Sequence, residues 1–250
     1  MSRVLAVIPA RYAASRFPGK PLAPLWGKPL LQHVWERARA LKGVDELVVA
    51  TDDPRIESSA RAFGAAVEMT SPACTSGTDR VAEVARRHAD AAVVINLQGD
   101  EPELDVGAVE RLIAEMRATP ELGMATLGHE EGAAVLRTPD VVKVGMDADG
   151  FALYFTRRDV VDGPGAERRL RHVGVYGFRR DVLLAFAAWP PGRAEQEERL
   201  EQLRALEHGI RIRVLVGTEP GAGVDTPEQL AALERRGPLR ERGRGRRVAR

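Results

Sequence analysis

Cysteine is almost missing from this chain: Cys74 stands alone among 250 residues. An internal disulfide is thereby excluded, and the usage suits a reducing compartment, so a cytoplasmic location is expected. Cys74 sits among Pro72, Thr75, Ser76 and Gly77, which points to a loop residue rather than a nucleophile. No cysteine–histidine cluster exists for a structural zinc. Long apolar runs are also missing, since nothing approaches the roughly 18 residues of a membrane span. The first residues enter a strand-like stretch without the basic start and apolar core of a signal peptide. Two common phosphate motifs are absent as well. No Gly-x-Gly-x-x-Gly follows the first apolar run, and there is no Gly-x-x-x-x-Gly-Lys-Ser/Thr, which argues against a dinucleotide fingerprint and a P-loop. Neither an internal repeat nor a long linker appears, so a single domain over residues 1–236 is expected.

What is present is enough for a full core, since 44% of the residues are hydrophobic. Val4 to Pro9, Glu46 to Ala50, Ala66 to Met69 and Ala91 to Leu97 are short apolar, β-branched runs that read as buried strands. Between them lie helical patterns over Lys28 to Leu41, Asp53 to Phe63 and Thr78 to His88. Asp53-Pro54 is an N-cap followed by a first-turn proline. Strands alternating with helices at these spacings mean right-handed βαβ units, hence an α/β fold with a mostly parallel sheet. After the helix from Asp105 to Arg117 and the strand Met124 to Leu127 the alternation changes. Val141 to Met146, Ala152 to Arg157 and His172 to Phe178 are successive strands without helices, which predicts a mixed or antiparallel extension. A helix over Glu195 to Leu206, a strand over Ile210 to Val216 and a helix from Pro227 to about Arg236 complete the pattern.

Net charge is only +1, but residues 237–250 gather arginines and glycines with little apolar content and read as a disordered basic tail. That tail has no aromatic residues on which bases stack, so no nucleic-acid partner is expected. The loop Arg11 to Lys20 is more informative. It leaves the first strand where α/β folds bind ligands, and Arg11, Arg16 and Lys20 suit a triphosphate. Asp100, just past the fourth strand, can face the same crevice and leans towards a functional role, since the cap of the next helix falls more naturally at Asp105. Asp225 stands even between helix cap and metal ligand. Two carboxylates with phosphate oxygens suit Mg2+. Ser76 and Thr78 open a helix and fit either a cap or a ligand contact. His172 and Tyr176 share one face of a strand, and Glu201-Gln202 lie on a helix with Leu200, Leu203 and Leu206; singly, each is more simply structural.

The loop from Ile8 to Leu22 resembles the amino-terminal signature of the 3-deoxy-manno-octulosonate (Kdo) cytidylyltransferase family of sugar nucleotidyltransferases. The resemblance continues in order through Val49 to Asp52, Thr75 to Arg80, Asn96 to Pro102, Gly123 to Leu127, Val142 to Val144, Ala152 to Arg157, Arg171 to Phe178, Leu200 to Arg204 and Gly223 to Glu228. It implies a Rossmann-like nucleotidyltransferase fold that transfers CMP from CTP to Kdo with Mg2+, for lipopolysaccharide biosynthesis. It further implies that Arg11, Lys20 and Asp100 are catalytic, and that Ala10, Arg11, Ser15, Arg16, Lys20, Ser76, Gly77 and Arg80 hold the nucleotide. Gln98, Arg157, His172, Tyr176, Glu201 and Gln202 would line the sugar site, and Asp100 and Asp225 would bind the metal. Residues 151–215 would form the sugar-side and dimer-side part of a homodimer.

Two features depart from the family pattern. Arg158 to Gly163 lacks the expected Ile-Pro pair, and the loop to Arg169 is short. A cytidylyltransferase for another 2-keto acid sugar, 8-amino-Kdo or a sialic-acid-like one, is the rival reading, although sialic-acid enzymes are expected to carry Gly-Gly-Ser where this chain has Tyr12-Ala13-Ala14-Ser15. A non-catalytic nucleotide- or RNA-binding protein is the more distant rival.

Overall fold

A computed structural model describes residues 2–13, 17–159, 169–217 and 221–238. In chain order its first half runs β1 (Arg3–Ala10), the hairpin β2 (Pro24–Leu25) and β3 (Lys28–Pro29), α1 (Leu30–Ala38), β4 (Glu46–Thr51), α2 (Pro54–Ala62), β5 (Ala66–Met69), α3 (Gly77–Arg87), β6 (Ala91–Asn96), α4 (Val106–Ala118) and β7 (Met124–His129). The second half runs α5 (Ala133–Leu136), β8 (Lys143–Met146), β9 (Ala152–Thr156), β10 (Arg169–Arg179), α6 (Arg180–Ala188), α7 (Arg193–Glu198), α8 (Leu203–Glu207), β11 (Ile212–Val216) and α9 (Pro227–Arg236). No described helix is long and apolar enough to cross a membrane.

β1 sits deep in the sheet because both of its faces are apolar. Val4, Ala6 and Ile8 join a core with Leu31, Val34 and Trp35 of α1 and with α2 and α4. Leu5 and Val7 join the opposite core with Val81, Val84 and Ala85 of α3 and with α6 and α8. A strand covered on both faces needs this continuous run, and alternation of side chains divides it between the two layers. β1 pairs in parallel with β4 and β6, and β5 extends the sheet beyond β4.

The antiparallel element is placed differently from the expected extension. The order is β11-β7-β10-β6-β1-β4-β5, so β10 is inserted between β6 and β7 and runs antiparallel to both. Only β8 and β9 project from this path, β8 pairing with the start of β10. Two helices also depart from expectation. The expected Lys28 start becomes Leu30, because Lys28 and Pro29 pair with Leu25 and Pro24 across a turn at Trp26 and Gly27, both at positive φ. The single helix expected over Glu195 to Leu206 is two short ones, broken at Arg199, whose φ is 56°. On either side of the break Glu198 accepts from Thr156 and the Arg157 backbone, and Glu201 accepts from Thr78. The α4 and α9 expectations match closely, with Asp105 capping α4 and Thr226 capping α9. Of the basic tail, only Gly237 and Pro238 are described, and Ser15, Arg16 and the short loop over residues 160–168 lie outside the described residues.

Candidate active site

The carboxyl ends of β1 and β6 open into a cleft of about 240 Å3 lined by Ala10, Arg11, Lys20, Gly77, Arg80, Gln98, Asp100 and Asp225, together with Pro9, Phe17, Pro21 and Gly99. Eight of the expected residues therefore meet in one place. A parallel strand followed by a loop leaves its backbone ends at this edge, which is why ligand sites form there. Gly99 is needed for the turn over β1, since a Cβ there would stand 2.9 Å from the Pro9 carbonyl oxygen.

Lys20 is the electrostatic centre of the cleft. Its ammonium donates to Asp100 Oδ2 at 2.5 Å and to the Val224 carbonyl at 2.9 Å, and Asp225 Oδ1 lies 3.7 Å away. Asp225 is not the helix cap, because Thr226 takes that role. Glu101 adds a third carboxyl group, and its pKa is pushed up to about 8 by burial and by the like charges of Asp100 and Asp225. A cation thus already occupies the space between two converging carboxylates, and the surplus negative charge is relieved by keeping a third neutral. Oxygen donors of this kind fit a hard divalent ion.

The remaining nucleotide-side residues are held in distinct ways. Arg11 Nη1 donates to the Thr75 carbonyl at 3.3 Å and is otherwise open to the cleft. Arg80 is fully buried, paired with Asp52 at 3.0 Å and bonded to the Thr70 hydroxyl, so it is a fixed wall rather than a mobile arm. Ser76 is outside the cleft lining and caps α3, accepting from Asp79 N at 3.0 Å.

Most of the sugar-side residues form a second, adjoining group. Gln98 joins the two: it lines the cleft, and its Cγ lies 3.1 Å from where a Cβ on Gly174 would stand, between His172 and Tyr176 on β10. The His172 ring packs against Phe155 and Tyr176, with centroids at 5.0 and 5.5 Å. Burial, reinforced by the charges of Arg171 and Arg157, lowers its pKa to about 3, so the imidazole is neutral. Thr126 Oγ1 donates to the Val175 carbonyl at 2.8 Å and stands 3.0 Å from His172 Nε2. With its proton so used, the hydroxyl accepts from an Nε2–H tautomer and leaves Nδ1 as an acceptor. Tyr176 is buried, and desolvation raises its pKa. Glu201 accepts from Thr78 Oγ1 at 2.5 Å, and burial raises its pKa. Asn96 donates to the same hydroxyl at 3.4 Å. Gln202 is buried, and its Nε2 has no hydrogen-bond partner among the described residues. Arg157 lies close enough for its charge to reach His172, while its Nη1 donates to the Asp140 carbonyl at 2.9 Å.

Several members of the site carry no role in the sequence reading. Asp52 and Glu101 lie within recognisable blocks, but which arginine or carboxylate they face is set by packing alone. Asn96 ends an apolar strand and reads as its boundary. Cys74 behaves as expected, in a loop with its thiol 3.3 Å from Glu83 and its pKa pushed up to about 11, chiefly by burial.

Comparison with known proteins supplies a family. Residues 5–212 match the cytidylyltransferase family profile. A 3-deoxy-manno-octulosonate cytidylyltransferase from Anaeromyxobacter sp. strain Fw109-5 is 52% identical over 92% of this chain and 95% of that protein. An 8-amino-3,8-dideoxy-manno-octulosonate cytidylyltransferase from Shewanella sp. strain ANA-3 is 48% identical over 93% of this chain and 98% of its own. The solved structure of a CMP:2-keto-3-deoxy-manno-octonic acid synthetase complexed with CTP superposes with a TM-score of 0.87 at 45% identity, covering 94% of this chain and 98% of that one.

Proposed function

Because this chain belongs to the cytidylyltransferase family, we propose that it transfers CMP from CTP to the anomeric hydroxyl of Kdo, giving CMP-Kdo and pyrophosphate. The observation that carries this reading is the facing of Arg11 and Lys20 with Asp100 and Asp225 across one cleft at the edge of a parallel sheet. The sugar hydroxyl oxygen forms a bond to the α-phosphorus while the bond from that phosphorus to the pyrophosphate oxygen breaks, and the hydroxyl proton is released to solvent. Both substrates are anions, so catalysis is positioning plus charge compensation. Arg11 offers a forked donor and Lys20 a point charge to the triphosphate. Ser15 and Arg16, from the same loop, are proposed to complete its grip.

Lys20 now spends its charge on Asp100 and Asp225. Arrival of the triphosphate gives it a second anionic partner, and its stabilisation of the departing oxygens grows as charge develops on them. Asp100 and Asp225 are proposed to hold Mg2+, which when bound offsets phosphate charge as a Lewis acid. Gly77 and the fixed Arg80 are proposed to form the cytidine wall, with Ser76 shaping it from the cap of α3. On the sugar side, Gln98, Tyr176, Glu201 and Gln202 are proposed to hydrogen-bond the sugar, and neutral His172 to offer Nδ1 as an acceptor. The unpartnered amide of Gln202 supports this assignment, since a buried donor without a partner is costly unless a ligand meets it. Arg157 joins the site only by leaving Asp140.

8-Amino-Kdo is the second reading, favoured by the Shewanella relative. We also propose a cytoplasmic homodimer; exposed Leu153, 58% accessible, supports the dimer, near a groove that Tyr154, Phe155, Ala194 and Leu203 line together with the charged Arg158, Asp159, Glu197 and Glu198, and light scattering tests it. Pyrophosphate release from CTP with Kdo, 8-amino-Kdo or N-acetylneuraminate, with an EDTA control, tests the reaction. Release with Kdo that EDTA abolishes is expected. Release only with 8-amino-Kdo moves the specificity, and release with none of the three overturns the assignment.

A further inference from the structure

We infer that Arg171 positions the loop that carries Asp225, and so sets the affinity of the carboxylate pair for a divalent cation. The inference rests on the assignment of Asp100 and Asp225 to Mg2+ above. Residues 221–225 belong to no helix or strand, and Asp225 is far from Asp100 in the chain. Something other than secondary structure must therefore hold the two carboxylates at a working separation.

Besides the local bond from Asp225 N to Gln229 Oε1 of α9 at 2.6 Å, four contacts among the described residues do so. Val224 N donates to the Asp100 carbonyl at 2.9 Å, and the Val224 carbonyl accepts from Lys20 Nζ at 2.9 Å. Ala222 N donates to Glu103 Oε2 at 3.3 Å. Arg171 Nη2 donates to the Gly221 carbonyl at 3.0 Å. The first three come from the Asp100 segment and from the lysine that must also engage triphosphate. Arg171 is the contact that comes from the sheet, on β10. Its guanidinium is held in turn by Glu131, whose Oε1 accepts from Nε at 3.1 Å, and the pair is largely shielded, with side chains 18% and 21% exposed. A charge-assisted bond from a guanidinium braced at its other nitrogen is a stiff tether.

The loop has no slack on its other side. A Cβ on Gly221 would fall 2.7 Å from the Glu103 carbonyl oxygen, and one on Gly223 would fall 3.0 Å from Glu101 Oε1. The loop therefore lies against residues 101–103 at backbone contact distance, and Arg171 fixes where along that surface it rests. Partners that orient metal ligands from behind typically change affinity by about 10- to 100-fold when removed. Arg171 is thus a positioning residue, acting through Gly221.

The test is Mn2+ binding to the full-length protein with CTP and no sugar, read by water proton relaxation against a CTP-only blank. Arg171→Gln is expected to weaken Mn2+ binding by about 10- to 100-fold, with CTP affinity unchanged and Arg171→Lys restoring most of the loss. A general structural role would lower Mn2+ and CTP binding together. Folded Arg171→Gln that binds Mn2+ like the wild type overturns the inference. Should that variant fail to fold, Glu131→Gln is expected to show a smaller loss in the same direction, and unchanged Mn2+ binding there overturns the inference equally. Asp225→Asn separates the two levels. If it too leaves Mn2+ binding intact, the metal assignment falls and the inference with it; if it alone loses Mn2+, only the inference falls.

Discussion

The two halves of the site solve different physical problems. On the nucleotide side, charge is dense and only partly shielded: Lys20, Asp100 and Asp225 converge at the open edge of the sheet. In the region proposed for the sugar, polar groups are desolvated and their ionised forms disfavoured. His172 is deprotonated by burial, Tyr176 is held protonated, and Glu201 is bonded to Thr78 with its pKa raised. The first region gains affinity through Coulomb attraction to an anion that brings its own charge. The second gains selectivity through hydrogen bonds in a low dielectric, where a missing partner is costly.

Replacing a charged residue should therefore cost rate, and replacing a neutral one should cost discrimination. The largest effect is expected for Lys20→Ala: a fall in kcat/KM of about 10²- to 10³-fold, with the thermal unfolding midpoint close to the wild type. Normal turnover by the folded variant would erase the contrast. Gln202→Leu is expected to raise the sugar KM by about tenfold, the equivalent of one hydrogen bond, while leaving the KM for CTP alone. The same variant should unfold no more easily than the wild type, since Nε2 has no partner to lose; a fall in stability would show instead that the amide is structural.

Protonation offers a finer probe. The pKa of His172 is depressed in the folded state, so between about pH 3 and its ordinary value near 6.5 the unfolded chain binds the extra proton. Stability is therefore expected to rise with pH across that window and level off above it, and His172→Phe should flatten the rise in denaturant titrations at pH 4, 5, 6 and 7. A wild-type curve no steeper than that of the variant would show that the imidazole is not desolvated. The smallest effect is reserved for Cys74→Ala. Its thiol is raised to about 11, so alkylation at neutral pH should be slow, and activity and stability should shift by no more than about 0.5 kcal/mol.

The same contrast explains what could be read without coordinates. Arg11, Lys20, Asp100 and the cap at Asp53 are local: each follows a strand or opens a helix within a few residues, so pattern and turn chemistry expose them. The mainly parallel sheet of the first half was legible for the same reason. The sugar side is assembled across long separations, as in Thr78 with Glu201 or Gln98 against Gly174, and no local pattern reports such a meeting. The break at Arg199 escaped periodicity because Leu200, Leu203 and Leu206, all beyond it, keep a helical spacing, while the contacts of Glu198 and Glu201 on either side of it are tertiary. Insertion of β10 between β6 and β7 escaped for a related reason. Its apolar alternation says that it pairs, and only the sheet decides with what.

That insertion sets a timetable for synthesis. As the chain leaves the ribosome, β1, β4, β5 and β6 can assemble early through parallel pairing, and β7 follows. The hydrogen-bonding edge of β6 then faces a gap that only residues 169–179 can fill, and they emerge some forty residues after β7 ends. Until then a row of bare amides and carbonyls on an apolar strand is open to any passing strand. The nascent protein thus has a period of vulnerability that ends when β10 slides home, so the step that brings His172 and Tyr176 beside Gln98 also seals the molecule against aggregation.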